Sequence, residues 1–371
     1  MIDYLNTQAE AIILIVVLVL AVFSIVVFFG AIYSRWVLNV TEKRRERIRE
    51  ELSGKVIQYV SGDLSFNELS DELSTKTHYT ILLKLSNELD KSLEGEEADR
   101  LKRLMNLKPI REFFTGRFRS RNSLERAKAC LYFSKQTVIK DSLIPTILSY
   151  TKAEYPMLAY SAAMAIMVHG SIEEKKETIH HLLVNENLSN QALNDVFAEF
   201  QKRSADDREA ESKLLMELID NRMYASDRTA LMIRTLGELG FYDSAGFLLN
   251  EYMELPEKEY DANIAEALID VLSGFGMIEI VDRLHSEFSS SKFSEVREAS
   301  AKAMGVFCNS VSRAYLKSML YDSDFYIRFH AARSLSNYPE VDLETMKVPN
   351  MKQKDWDELL GEIEISKQKG Y

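Results

Sequence analysis

The chain is short of the residues that interrupt helices, with six prolines and 14 glycines among 371 residues. That scarcity excludes a turn-rich fold and favours helix nearly throughout. Cysteine is scarcer still. Cys130 and Cys308 lie 178 residues apart, so no disulfide framework is indicated, and both read as small buried residues of helices in a reducing compartment. The six histidines make no His-Glu-x-x-His motif, and no Cys-x-x-Cys is present. His180 and His181 are adjacent, which puts their rings about 100° apart on a helix, so no metal site is expected. Gly-x-Gly-x-x-Gly, P-loop and Gly-x-Ser-x-Gly patterns are missing too, which removes support for a phosphate cradle or a serine-hydrolase elbow. No catalytic residue, cofactor or small-molecule substrate is therefore expected. Carboxylates are plentiful, but pairs such as Glu173-Glu174 and Asp206-Asp207 stand at predicted helix starts, where acids complement the helix dipole. The net charge of -11, with pI about 5.3, excludes nonspecific nucleic-acid binding by the whole molecule.

The chain has one long apolar run. Ala11 to Ile32 is interrupted only by Ser24 and Gly30, and 22 residues at about 1.5 Å each span about 33 Å, enough to cross a bilayer. The residues before it include Asp3 and Glu10 but no Lys or Arg, and no small-x-small site follows, so an uncleaved anchor over 11–33 fits better than a signal peptide. Arg35, Lys43, Arg44, Arg45, Arg47 and Arg49 follow the run directly. Positive flanks stay in the cytoplasm, which places the short segment 1–10 outside the cell (inner) membrane and the body inside. Tyr33 and Trp36 fall where aromatic rings favour the headgroup layer. A basic helix continues over 34–60, Ser61-Gly62-Asp63 breaks it, and Ser65 to Glu68 reads as a capping box opening a helical region over 61–122.

Near the C-terminus one pattern occurs twice. Val296-Arg297, Ser300-Ala301, Ala303, Met304 and Gly305 are answered 31 residues later by Ile327-Arg328, Ala331-Ala332, Ser334, Leu335 and Ser336. The apolar spacing is helical, and the small residues let a second helix approach closely. A shorter amphipathic helix ending at Asp322-Ser323-Asp324 precedes the second copy, so the unit is a helix pair of about thirty residues.

The string from Leu316 to Leu335 resembles a HEAT repeat: an outer helix A, an acidic turn, and an inner helix B carrying hydrophobic-Arg and Ala-Ala. Aligned on the first apolar position of helix B, the units fall at Leu124, Leu158, Ala192, Arg228, Ile264, Val296 and Ile327, with steps of 34, 34, 36, 36, 32 and 31. Pro145 stands inside an A helix, as in the family, while only Arg297 and Arg328 match the family's arginine. The resemblance implies that this arginine pairs with turn acids of a neighbouring repeat, for which Asp322 and Asp324 are candidates. The expected fold is all-α, an N-terminal transmembrane helix followed by a HEAT-like α-solenoid over 123–338 whose B helices line the concave binding wall. A linker and a capping helix containing Trp356 would complete 339–371.

Charge is unevenly spread: residues 1–99 carry -6, residues 100–128 carry +8, and the remainder -13. Within the basic belt Phe113, Phe114 and Phe118 alternate with Arg111, Arg117, Arg119 and Arg121. Such a mixture suits anionic lipid or an acidic partner. Alternatively the phenylalanines seed the first repeat's core while the arginines are solvated.

Together these features predict a noncatalytic, membrane-anchored scaffold that binds a protein partner and touches the bilayer through 11–33. The chain also resembles bacterial membrane-anchored HEAT-repeat proteins, some encoded near polysaccharide-making glycosyltransferases, which implies a membrane glycosyltransferase as a partner. The alternative is an enzyme or ligand-binding solenoid that uses its concave wall, as the resemblance to the helical repeats of bilin lyases implies. A concave pocket with converging ionisable groups would favour it.

Overall fold

The computed structural model describes residues 2–89, 92–93, 95–136, 139–202, 205–256, 260–339, 341 and 353–368, with side chains in the first helix described from Phe23 onward, apart from 34, 37–39 and 41. Among them every regular element is a helix. The chain divides into two compact units, Met1–Ser120 and Arg121–Tyr371.

The first unit begins with α1 (Ile2–Ser61), 60 residues without a break and thus about 90 Å long. Leu52, Val56, Tyr59 and Val60 form its buried stripe, at the three- and four-residue spacing that keeps side chains on one face. That stripe packs on α2 (Phe66–Glu72), α3 (Lys76–Leu89) and α4 (Gly95–Met105). The capping box legible in the sequence is present: the Glu68 amide donates to Ser65 Oγ at 3.4 Å, and the Ser65 amide donates to the Glu68 carboxylate at 3.1 Å. Each bond satisfies an amide that the helix start leaves unpaired. Arg49 to Glu88 and Lys55 to Glu72 tie α1 to its neighbours from the solvent side. α5 (Lys108–Arg117) closes this unit.

Among the described residues no helix is long and apolar enough to cross a membrane. The first twelve positions of the expected span 11–33 lie outside the described side chains. From Phe23 on, Ile25, Val26, Val27, Phe28, Phe29 and Ile32 are exposed around the helix, Phe23 at 65% and Phe29 at 63%.

The second unit is a succession of helix pairs, consistent with an α-solenoid. Its inner helices are α6 (Ser123–Ser134), α8 (Pro156–His169), α10 (Asn190–Phe197), α12 (Ser226–Glu238), α14 (Ala262–Gly274), α16 (Ser294–Val306) and α18 (Phe325–Leu335). Between them run α7 (Ile144–Tyr150), α9 (Ile172–Leu183), α11 (Ala205–Asp220), α13 (Ala245–Glu254), α15 (Val281–Ser286) and α17 (Ser310–Met319). Each inner helix packs on the next, from α6 on α8 through to α16 on α18. The seven anchor positions share a register: Leu124 is second in its helix, and each of the other six is third. Small buried residues make the close stacking possible, among them Ala162, Ala163, Ala265, Ala301, Ala303, Ala331 and Ala332. The last helix, α19 (Gln353–Gln368), packs on α18 and buries Trp356, Leu359 and Ile363 in the same core.

The outer helix between α14 and α16 is short: α15 has a 3-10 turn before it and another after it, and the chain leaves helical geometry at Glu287 (φ -119°, ψ -55°). One expectation needs correction. Cys308 is not a buried helix residue. α16 ends at Val306, which leaves Cys308 exposed in the turn before Asn309 caps α17; Cys130 is buried in α6, and burial pushes its thiol up to about 12.

A charged face across the inner helices

The basic belt is divided between cores and solvent. Phe114 and Phe118 are buried in the first unit, so they offer no surface to lipid. Phe113 is half-buried, edge-on to both Tyr79 and Phe114, and the Arg117 guanidinium lies 4.0 Å above its ring. Burial there lowers the pKa of Arg117. Arg111 and Arg119 are exposed in the first unit and Arg121 in the second. Phe114 and Phe118 thus belong to the core of the first unit, while Arg111, Arg119 and Arg121 face solvent and Arg117 stacks on Phe113.

The two repeat arginines form a clip in the second unit. Arg297 donates from Nε and Nη2 to the two carboxylate oxygens of Asp322 at 2.8 and 3.1 Å, and from Nη1 to the Ser291 carbonyl at 2.7 Å. Arg328 donates to the Asp322 and Ser323 carbonyls at 2.8 and 2.9 Å. Asp324 serves a different purpose, since its carboxylate accepts the Tyr326 amide and caps α18. For Asp322, burial alone would raise the carboxyl pKa, but the bonds from Arg297 and from the Asp324 amide outweigh it and hold the group below its ordinary value. A bidentate, half-buried pair of this kind fixes the angle between α16 and the turn that opens α18.

A second set of charged groups was not singled out in the sequence, yet the fold brings it together. The sixth residues after the anchors Arg228, Ile264, Val296 and Ile327 are Arg234, Asp270, Lys302 and Arg333. The second residues after Ile264 and Val296 are Glu266 and Glu298. Because α12, α14, α16 and α18 stack in one register, these positions share the exposed face of the inner layer. Arg234 donates to Glu266 on the next helix at 3.0 Å. Glu298 lies 2.7 Å from Lys302 Nζ and 3.2 Å from His330 Nε2 on α18.

The electrostatics follow from half-burial. Burial raises the Glu266 and Asp270 carboxyl pKa values, with Arg234 opposing it in both cases and Lys302 opposing it most strongly at Asp270. Burial and then Lys302 push the His330 imidazole down to about 4, against the pull of Glu298. His330 is therefore neutral near pH 7, with Nε2 close to the Glu298 carboxylate.

Where α12 and α14 end, the face deepens into a cavity of about 360 Å³ lined in part by Arg234, Glu238, Tyr242, Asp270, Gly274 and Phe275. His180 and His181 take separate partners elsewhere, the Tyr224 hydroxyl at 2.8 Å and the Thr151 hydroxyl at 2.7 Å. No group of three or more potential metal ligands occurs among the described residues.

No family model matches the chain, and no curated protein matches it.

Proposed function

We propose that this chain is a noncatalytic, membrane-anchored adaptor in which the HEAT-like second unit binds a protein partner over the exposed face of its inner helices. The observation that carries this reading is the charged face itself. Its ionisable groups pair along the layer, Arg234 with Glu266 and Glu298 with His330 between helices and Glu298 with Lys302 within α16, instead of converging on one reacting atom. A face with alternating signs in fixed register selects a partner by complementarity of charge pattern, while its low net charge gives little nonspecific attraction. Anchoring over 11–33 is supported by the apolar side chains exposed around α1 between Phe23 and Ile32, since an apolar surface on every side of a helix is stable in lipid and costly in water. A membrane glycosyltransferase is the partner that the resemblance favours. The cavity beside Asp270 supports a second reading, in which the same face binds a small ligand.

The test is site-specific photo-crosslinking of the full chain in its native membranes, with the crosslinker at Lys302 on the face or at Lys213 on α11. One stoichiometric protein adduct from Lys302 and none from Lys213 is the expected result. Identical adducts from both positions, or release of the chain by alkaline washing of the membranes, would overturn the reading.

A further inference from the structure

We propose that the cavity between the C-terminal ends of α12 and α14 is the anchor point of that face, and that it receives an arginine side chain of the partner. The inference rests on the adaptor reading for the source of the arginine, but the chemistry of the cavity is argued from the cavity alone.

Three features of the walls select a cation. First, two carboxylates, Glu238 and Asp270, line the cavity, and neither has a hydrogen bond or ion pair among the described residues. The guanidinium in the wall, Arg234, is already held by Glu266 at 3.0 Å. Two cations, Arg234 and Lys302, act on Glu266 and Asp270 beside a third carboxylate, Glu298, and Glu238 in the wall adds a fourth. A bound cation would reduce that local excess of negative charge. Second, both helices present their C-terminal ends, where the backbone dipoles place partial negative charge. The two ends have the same geometry, with Gly240 at φ +65° and Gly276 at φ +74°, and with the Phe241 and Met277 amides returning to the Leu236 and Leu272 carbonyls at 2.9 and 3.0 Å. Third, Tyr242 and Phe275 stand 4.8 Å apart between ring centroids, and Tyr242 is 69% exposed, so an aromatic surface is open to a planar cation. Guanidinium stacks on such rings and presents several donors in one plane, which favours arginine over lysine.

Gly274 supplies a place to block the cavity. It lies in the cavity wall at the end of α14, its φ is not positive, and a Cβ built on it meets nothing within 4 Å. Glycine in a helix costs about 1 kcal/mol relative to alanine. Neither backbone conformation nor packing requires glycine here, so a larger side chain at this position would project into the cavity and can be used to fill it.

The experiment is saturation-transfer NMR on the full chain in detergent micelles, with N-acetyl-arginine amide as probe and N-acetyl-glutamine amide as its neutral counterpart. The arginine probe is expected to bind about tenfold more tightly than the glutamine probe, to weaken about tenfold in Asp270→Asn, and to be excluded by Gly274→Leu. Gly274→Ala is expected to melt no earlier than the parent chain, which separates blocking from unfolding. Where Gly274→Leu fails to fold, Glu238→Gln with Asp270→Asn replaces it. Equal binding of the two probes, or arginine binding untouched by Asp270→Asn, overturns the proposal. Arginine binding without a Lys302 adduct would leave the cavity standing and remove the adaptor reading; a Lys302 adduct without arginine binding would do the reverse.

Discussion

Gly305→Ala tests how closely the inner helices stack. Gly305 is buried in α16, and a Cβ there would stand 2.5 Å from Ser334 Oγ, 2.6 Å from Ser334 Cβ and 3.0 Å from Ser334 Cα. Non-bonded carbons prefer about 3.5–4.0 Å, so α18 must move outward by roughly 1 Å. The hydroxyl can rotate away, but the Cβ and the backbone cannot. Overpacking of this kind costs about 1–3 kcal/mol, and the better helix propensity of alanine returns about 1 kcal/mol. The same close approach lets Tyr338 donate its hydroxyl to the Met304 carbonyl at 3.0 Å and Asn337 donate to the Gly305 carbonyl at 3.2 Å. Stretching both bonds adds about 1 kcal/mol each, for a net destabilisation of roughly 2–4 kcal/mol. Gly274→Ala is the matched control: the same substitution on α14, with open space around it, is expected to stabilise by up to about 1 kcal/mol. Urea denaturation of the full chain gives the sign, and hydrogen exchange in peptides from α16 and α18 gives the place. Adding Ser334→Gly should restore part of the loss, since it removes the Cβ and Oγ but not the Cα. If Gly305→Ala proves no less stable than Gly274→Ala, the close-approach argument is wrong.

Two further outcomes follow from buried charge. Lys175 Nζ is 2.7 Å from Glu211 Oε1, with side chains 4% and 0% exposed, so Glu211→Gln removes one buried negative charge beside the ammonium and should cost about 3 kcal/mol in urea denaturation. Lys175→Met with Glu211→Leu should come within about 1 kcal/mol of the parent, and a Glu211→Gln cost below that figure would contradict the ion-pair account. His330 titrates near 4 in the folded chain and near 6.5 when unfolded, so the unfolded state takes up the proton first as pH falls. Its contribution is complete above about pH 6.5 and is lost towards pH 4, by roughly 2–3 kcal/mol. Stability measured at pH 7 and pH 4.5 should therefore fall less in His330→Gln than in the parent, and an equal fall in the two chains would refute the assignment.

The all-helical fold was legible because its signals are local. Spacing of Leu158, Ile264, Val296 and Ile327 set the inner-helix register, and the Ser65 to Glu68 pattern marked a helix start that the structure contains. The shortness of α15 was not legible, since Glu287 and the serines from 289 to 291 carry no strong breaker. The charged face was missed for a different reason. Arg234, Glu266, Asp270, Glu298 and Lys302 each read as an ordinary solvated helix residue, and they become neighbours only when helices 36, 32 and 31 residues apart are stacked in a common register. Counting from the anchors would have found them; searching for catalytic motifs could not. For Phe114 and Phe118, alternation with arginine concealed a core stripe, because a helix face is set by every third or fourth residue and not by neighbours in sequence.

The uninterrupted course of α1 has a mechanical meaning. A single α-helix is an axle whose two ends cannot turn independently: adding one residue between the exposed apolar part and the stripe at Leu52, Val56 and Tyr59 lengthens it by about 1.5 Å and swings the far end by about 100°. The number of residues in that stretch therefore fixes both a distance and a compass bearing, and a three- or four-residue insertion would preserve the bearing far better than a change of two.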